Sequence, residues 1–297
     1  MVIYFENNII SDWTGYEKLI NLVNDASKIK DDKILFDFAG VHFFEANLCA
    51  VLGTIIEILE NENKQITFTN FNTVVETILR KNEFLLDYGF QRITDNYNTA
   101  VKYRKFIPTD DDGFNNYIKA ELLSKKDFPL HSEKLGKKIM QNIFELYENA
   151  RTHGKCNYIH TCGQYFPKSP EKQFNITIVD RGINIKENVN NFLKKDLTSC
   201  DAIAWAMKKG NTTKSENIPG GLGLDIIFEF IKLNNGKIQI VSSDGFWEFK
   251  RGIVETKLLQ NPFQGTIANL RFNLNDKSYY SLAGEQNEQQ ENWNFTF

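Results

Sequence analysis

Glu145-Leu146-Tyr147-Glu148-Asn149-Ala150-Arg151-Thr152-His153-Gly154 is the stretch on which the reading of this chain turns. It closes a helical pattern that begins near Glu133, in which Ile139, Ile143, Leu146 and Ala150 fall on one face because positions three and four apart stack. Glu145, Asn149 and His153 recur every four residues and form a polar stripe about a quarter turn from that apolar face. A helix packed by one face and carrying Glu and Asn on its shoulder is suited to line a cleft. Taken alone, the stripe is equally consistent with a solvated surface.

Two later motifs decide between these. Ile176-Thr177-Ile178-Val179 reads as a strand ending in Asp180-Arg181-Gly182-Ile183-Asn184. Gly210-Asn211-Thr212-Thr213-Lys214 then leads through a polar loop to Gly220-Gly221-Leu222-Gly223-Leu224, which opens an apolar helix over Asp225–Lys232. Strands at Lys237–Ser242 and Thr266–Asn273 follow. One glycine-rich loop is a weak signal, whereas three motifs in this order, each on a fitting element, are specific.

This order resembles the GHKL superfamily of ATP-binding domains (histidine kinase, gyrase and Hsp-type chaperone). Residues 145–154 are similar to its N box, Asp180-Arg181-Gly182 to its G1 box, Gly220–Leu224 to its G2 box, and Gly265-Thr266 to its closing Gly-Thr. The resemblance implies an α+β two-layer sandwich of the Bergerat type over residues 132–276, with ATP and Mg²⁺ as cofactors. Asn149 would hold the metal through its side-chain oxygen. Asp180 would accept a hydrogen bond from the adenine amino group and reject guanine, which presents an oxygen there. Gly182 would let backbone approach the base, and Thr266 would assist Asp180 through a shared water. His153, Asn184, Thr213 and Lys214 complete the implied nucleotide contacts, together with the Gly221, Leu222, Gly223 and Leu224 turn, whose N–H groups form a phosphate cradle. Asn184 stands where the family has glycine, and is expected to keep the turn because Asn tolerates positive φ. Glu145 is the implied general base. A glutamate here marks the ATPases and the serine-phosphorylating anti-sigma kinases, and favours attack by a hydroxyl over phosphorylation of histidine.

The first 95 residues alternate strand and helix patterns. Strands are expected at Val2–Phe5, Lys33–Ala39 and Ile66–Phe71. Helices are expected from a capping box at Thr14–Glu17, over about Glu45–Glu60, and from a second capping box at Thr73–Glu76. The βαβαβα order predicts a small α/β domain. With Leu35–Phe44, then Glu45-Ala46-Asn47-Leu48 and Ala50-Val51-Leu52, it resembles the STAS fold of anti-sigma-factor antagonists. Many of that family are phosphorylated on a serine in this loop; Glu45–Leu48 has no hydroxyl, so a docking scaffold is expected in place of a phospho-switch. Residues 96–131 read as a connector with a short amphipathic helix over Phe114–Ser124, and 277–297 as a polar tail.

The net charge of −3 gives no general attraction for nucleic acid or anionic membranes. No secretory signal or membrane span is read, and the four cysteines lack paired spacing, so a cytoplasmic protein is expected. His153, Cys156, His160 and Cys162 suggest zinc by type, yet ligands in one extended row cannot close a tetrahedron. The expected function is an ATP-dependent regulator that phosphorylates a protein Ser/Thr or hydrolyses ATP slowly, with a STAS-like or sigma-like protein as partner. The alternatives are an ATPase clamp closing as a homodimer, disfavoured by the roughly 20 residues after the last strand, and a non-catalytic docking module gated by nucleotide.

Overall fold

The computed structural model describes residues 1–125, 127–154, 157–208, 210, 211, 213, 225–283 and 285, and leaves aside the side chains of 149–154 and 225. Three parallel strands, β1 (Val2–Glu6), β2 (Lys33–Gly40) and β3 (Gln65–Thr69), lie in the order β1-β2-β3. They alternate with helices α1 (Trp13–Ser27), α2 (Cys49–Asn61) and α3 (Thr73–Lys81). Strand order following chain order, with right-handed crossovers, puts α1 and α2 on the same sheet face, and these helices contact each other.

The helix starts differ from those expected. Asp12, not Thr14, caps α1 by accepting from Gly15 N at 2.7 Å, which frees Glu17 to accept from Gln260 N at 3.2 Å. Asn72 caps α3, and Glu76 pairs with Arg80 one turn on at 2.8 Å. Residues Ala46–Leu48 form a separate 3-10 turn before α2.

The second sheet has five antiparallel strands: β4 (Ala100–Phe106), β5 (Ile159–Phe166), β6 (Gln173–Asp180), β7 (Lys237–Lys250) and β8 (Ile253–Asn273), ordered β4-β5-β6-β8-β7. The expectation of a connector over 96–131 is corrected, because β4 is an edge strand of this sheet. A helix, α4 (Asp111–Ile118), follows and buries Phe114 in the second core. The start of the expected tail is also tied down: Tyr280 N donates to Leu130 O at 2.9 Å and Ser132 N to Tyr280 O at 2.8 Å. Helices α5 (Glu133–Gly154), α6 (Ile185–Leu193), α7 (Ser199–Ala206) and α8 (Asp225–Leu233) complete the chain.

Strand periodicity sorts the five-stranded sheet into two faces. Ile176, Ile178, Ala268, Leu270, Ile238 and Ile240 share a buried core with helices α4–α8. The opposite face carries Gln164, Thr177, Gln239, Asn269 and Arg271 and is covered by the N-terminal unit. The expected two-layer sandwich therefore has its outer sheet face filled: Cys162, Val179, Val241 and Ile267 belong to the same core as Tyr16, Leu52 and Ile56. Gly53 on α2 is what permits the approach, since a Cβ there would collide with the Tyr103 hydroxyl.

Most polar groups at that contact are hydrogen-bonded, while Asn47 Oδ1 and Asn175 Nδ2 find no partner among the described residues. Asn47 Nδ2 donates to Ser11 Oγ at 2.7 Å and to Thr177 Oγ1 at 2.9 Å, and Ala46 N donates to Gln164 Oε1 at 2.6 Å. Glu57 accepts from His160 Nε2 at 2.5 Å while Tyr103 OH lies 2.8 Å from His160 Nδ1. Burial pushes the His160 pKa down, so it serves as a neutral bridge. Asn47→Ala should lower unfolding free energy by about 1–3 kcal/mol in denaturant titrations, because it strands buried partners in the sheet.

Candidate functional site

The helix-covered face of the sheet ends in the G1-like segment. β6 delivers Asp180 to the strand end and β8 sets Thr266 directly across from it. Asp180 Oδ1 accepts from Gly182 N at 2.7 Å, which folds the chain sharply after the strand. Gly265, beside this pair, has φ +119, and a Cβ there would strike the Asp180 carbonyl oxygen; only glycine suits the position. Ser242 on β7 ties the corner together. Its hydroxyl donates to Gly265 O at 2.7 Å, accepts from Ile185 N at 2.9 Å and lies 3.3 Å from Thr266 Oγ1.

The half-buried Asp180 carboxyl has no cationic partner among the described residues, and burial pushes its pKa up to about 7. The Gly182 N–H opposes that shift without cancelling it. A carboxylate held so close to protonation stores unfavourable desolvation, a pattern found where a ligand is needed to pair the group.

Asn184 does not take the positive φ expected of it. Its φ is −70, outside the left-handed region, and its Oδ1 caps α6 by accepting from Glu187 N at 2.8 Å. The chain turns here with asparagine in place of glycine because the residue starts a helix. From α6, Asn188 Nδ2 donates to Thr213 Oγ1 at 3.1 Å.

Glu145 lies half-buried on α5, on the helical layer that also packs against α8 and β6. The Asn149 and His153 side chains, Lys214 and the turn formed by Gly221, Leu222, Gly223 and Leu224 lie outside the described residues. Sequence reasoning missed Asn142, one turn before Glu145. Its buried Oδ1 accepts from Ile227 N at 2.8 Å, satisfying an N–H in the first turn of α8 and locking α5 to that helix. The signal was present, since Asn142 extends the polar stripe of Glu145 and Asn149 by one turn. His160 is engaged by Glu57 and Tyr103, and no group of three metal-ligating side chains occurs among the described residues, which leave out the side chains of His153 and Cys156.

No family model and no curated protein matches the chain. Among solved structures it is similar to the histidine kinase domain from Erythrobacter litoralis EL346 blue-light activated histidine kinase. The identity is 12%, covering 88% of this chain and 94% of that chain, with a TM-score of 0.25. Superposition that loose lends no weight to fold or chemistry, which rest on the geometry above. No helix among the described residues is long and apolar enough to cross a membrane.

The raised Asp180 pKa has a measurable sign. The folded value near 7 exceeds the ordinary value of 3.8, so the folded chain holds a proton that the unfolded chain has already released. Stability from this group is full below the unfolded value and is lost as pH rises to the folded one. Asp180→Asn keeps the acceptor for Gly182 N and removes the charge. Its nucleotide-free melting temperature should exceed that of the parent, by a margin that grows between pH 5 and pH 8. A margin constant across that range would contradict the assignment.

Proposed function

We propose that the chain binds Mg-ATP at the Asp180 end of the sheet and uses it to phosphorylate a protein Ser/Thr or to hydrolyse it slowly. In either case nucleotide controls a partner-binding state. The half-buried, high-pKa carboxyl of Asp180, standing beside Thr266 under the helical layer, carries this reading. Adenine would donate its amino hydrogen to Asp180, and the carboxylate would gain the partner that the free protein withholds. Guanine would present a carbonyl oxygen to the same group and be rejected.

Asn149 would hold the Mg²⁺, whose charge would be set against the phosphates at the start of α8. Glu145, one turn earlier on α5, would take the proton from the attacking hydroxyl. The anti-sigma-type serine kinases supply the nearest chemical analogy, and a STAS-like N-terminal unit fits the same kind of regulator. Burial of Glu45–Leu48 on the sheet face opposite Asp180 favours the docking-scaffold role for that unit. The substrate hydroxyl would then belong to another protein.

Titration calorimetry with Mg-ATP and Mg-GTP should give binding of ATP alone, with affinity falling as pH drops below about 7 and Asp180 takes up a proton. Equal affinity for the two nucleotides overturns the base assignment. Glu145→Gln should still bind ATP while turnover falls roughly 10²–10⁴-fold, whereas Asn149→Ala should lose Mg-ATP binding itself. Transfer of labelled γ-phosphate to protein or to water separates the kinase from the ATPase.

A further inference from the structure

At the other end of strands β6, β7 and β8, about 20 Å from Asp180 by strand rise, lies a pocket of about 180 Å³. It is built by residues 171–173, 235–237, 250–251, 271–273 and 275, from four separate stretches of chain. The hairpin joining β7 to β8 makes this possible. It bends back at Ser242–Gly245, where the register shifts, so that Glu248 accepts from Gln239 Nε2 at 2.6 Å and lies 3.5 Å from Lys237 Nζ. The hairpin tip is carried to the start of β6, where Arg251 pairs with Glu171 at 2.9 Å.

Lys172, Lys237, Lys250, Arg251 and Arg271 line this pocket against one acid, Glu171, in a chain whose net charge is −3. Three of these five cations face a carboxylate, and Lys237 lies 3.5 Å from Glu248. Glu171 is taken by Arg251. Glu45 lies 3.5 Å from Arg271 but also accepts from Ser11 N at 2.7 Å. No ion pair of Lys172 or Lys250 occurs among the described residues. Lys237 spends one of its three N–H donors on Ser11 O at 2.8 Å, and Arg271 spends Nε on Asn175 Oδ1 at 2.9 Å. Those two bonds fix both side chains in place and leave further donors uncommitted. Burial, and then Arg271 alongside, push the Lys237 ammonium down to about 8, with Glu248 and Glu45 opposing the shift.

We propose that this pocket binds a phosphate-type oxyanion, either as the free ion or as the phosphate of a small monoester. The space is below the roughly 300 Å³ at which drug-sized ligand sites begin, which suits one phosphate group. A dianion with several acceptor oxygens matches ammonium and guanidinium donors arriving from different directions, and gains more from them than a single carboxylate does. Lys237 and Arg271 are held by the N-terminal unit through Ser11 and Glu45, so the cradle is pre-organised by that unit's docking. The site is independent of the nucleotide reading, because it shares no residue with the Asp180 end.

The test is calorimetric titration of the full chain with inorganic phosphate and with O-phosphoserine at matched ionic strength, with chloride as control. Lys172→Gln/Lys250→Gln changes two side chains at the pocket rim and should keep the parent melting temperature while weakening phosphate binding roughly tenfold or more. Asp180→Asn should leave it unchanged. Binding of inorganic phosphate identifies the free ion as sufficient, and binding of O-phosphoserine alone identifies the monoester. Heats no different from chloride for both probes overturn the proposal. So does undiminished binding by the double variant, with Lys172→Glu tested alone if that variant is unstable, or loss of binding in Asp180→Asn.

Discussion

The outer face of the five-stranded sheet has to find partners for buried polar side chains, and that constraint shapes the molecule. Thr177, Asn175, Asn269 and Gln239 are almost wholly buried. Left against an apolar layer, each would cost on the order of 1–3 kcal/mol. The N-terminal unit answers Thr177, Asn269 and Gln239 with Asn47 and the Ser11 carbonyl, Arg271 answers Asn175 from within the sheet, and α1 and α2 cover the apolar positions between. The turn over Ala46–Leu48 is thus a key fitted to a specific sheet. The missing hydroxyl in Glu45–Leu48 follows naturally from that position, which leaves no room for a phosphate.

The two faces of the sheet are consequently free to do different work. One is committed to joining two units of the chain through a contact more polar than a domain core. The other holds the Asp180–Thr266 corner under helices α5, α6 and α8. Asn142 and Ser242 are the ties that make that corner rigid, the first linking two helices and the second linking sheet to α6. Rigidity matters there because a desolvated carboxyl is useful only if it cannot turn away to water.

Legibility in the sequence followed the strength of local signals. The helix Glu133–Gly154, the strand leading to Asp180 and the α8 helix were legible because apolar periodicity and motif order coincided. Helices α6 and α7 were missed although Asn184 and Thr198 cap them, accepting from Glu187 N and Asp201 N; at 9 and 8 residues they carry little periodicity. The β7–β8 hairpin was read only at its base, because Glu248, Lys250, Glu255 and Lys257 look like loop residues until pairing is known. The interface was invisible for a further reason. Phe174-Asn175-Ile176-Thr177-Ile178 alternates as a strand with one wet face would, yet every residue in it is buried. Only the partner's position distinguishes a wet polar face from a paired one.

The division of labour between the two faces is the central claim, and hydrogen exchange of the full chain with and without Mg-ATP tests it most directly. Nucleotide should slow exchange at Gly182 and in the first turn of α8, while the amides of Ser11 and Ala46, bonded to Glu45 and Gln164, stay as they were. Slowed exchange at Ser11 and Ala46 with none at Gly182 would contradict it, and would move the nucleotide to the other side of the sheet.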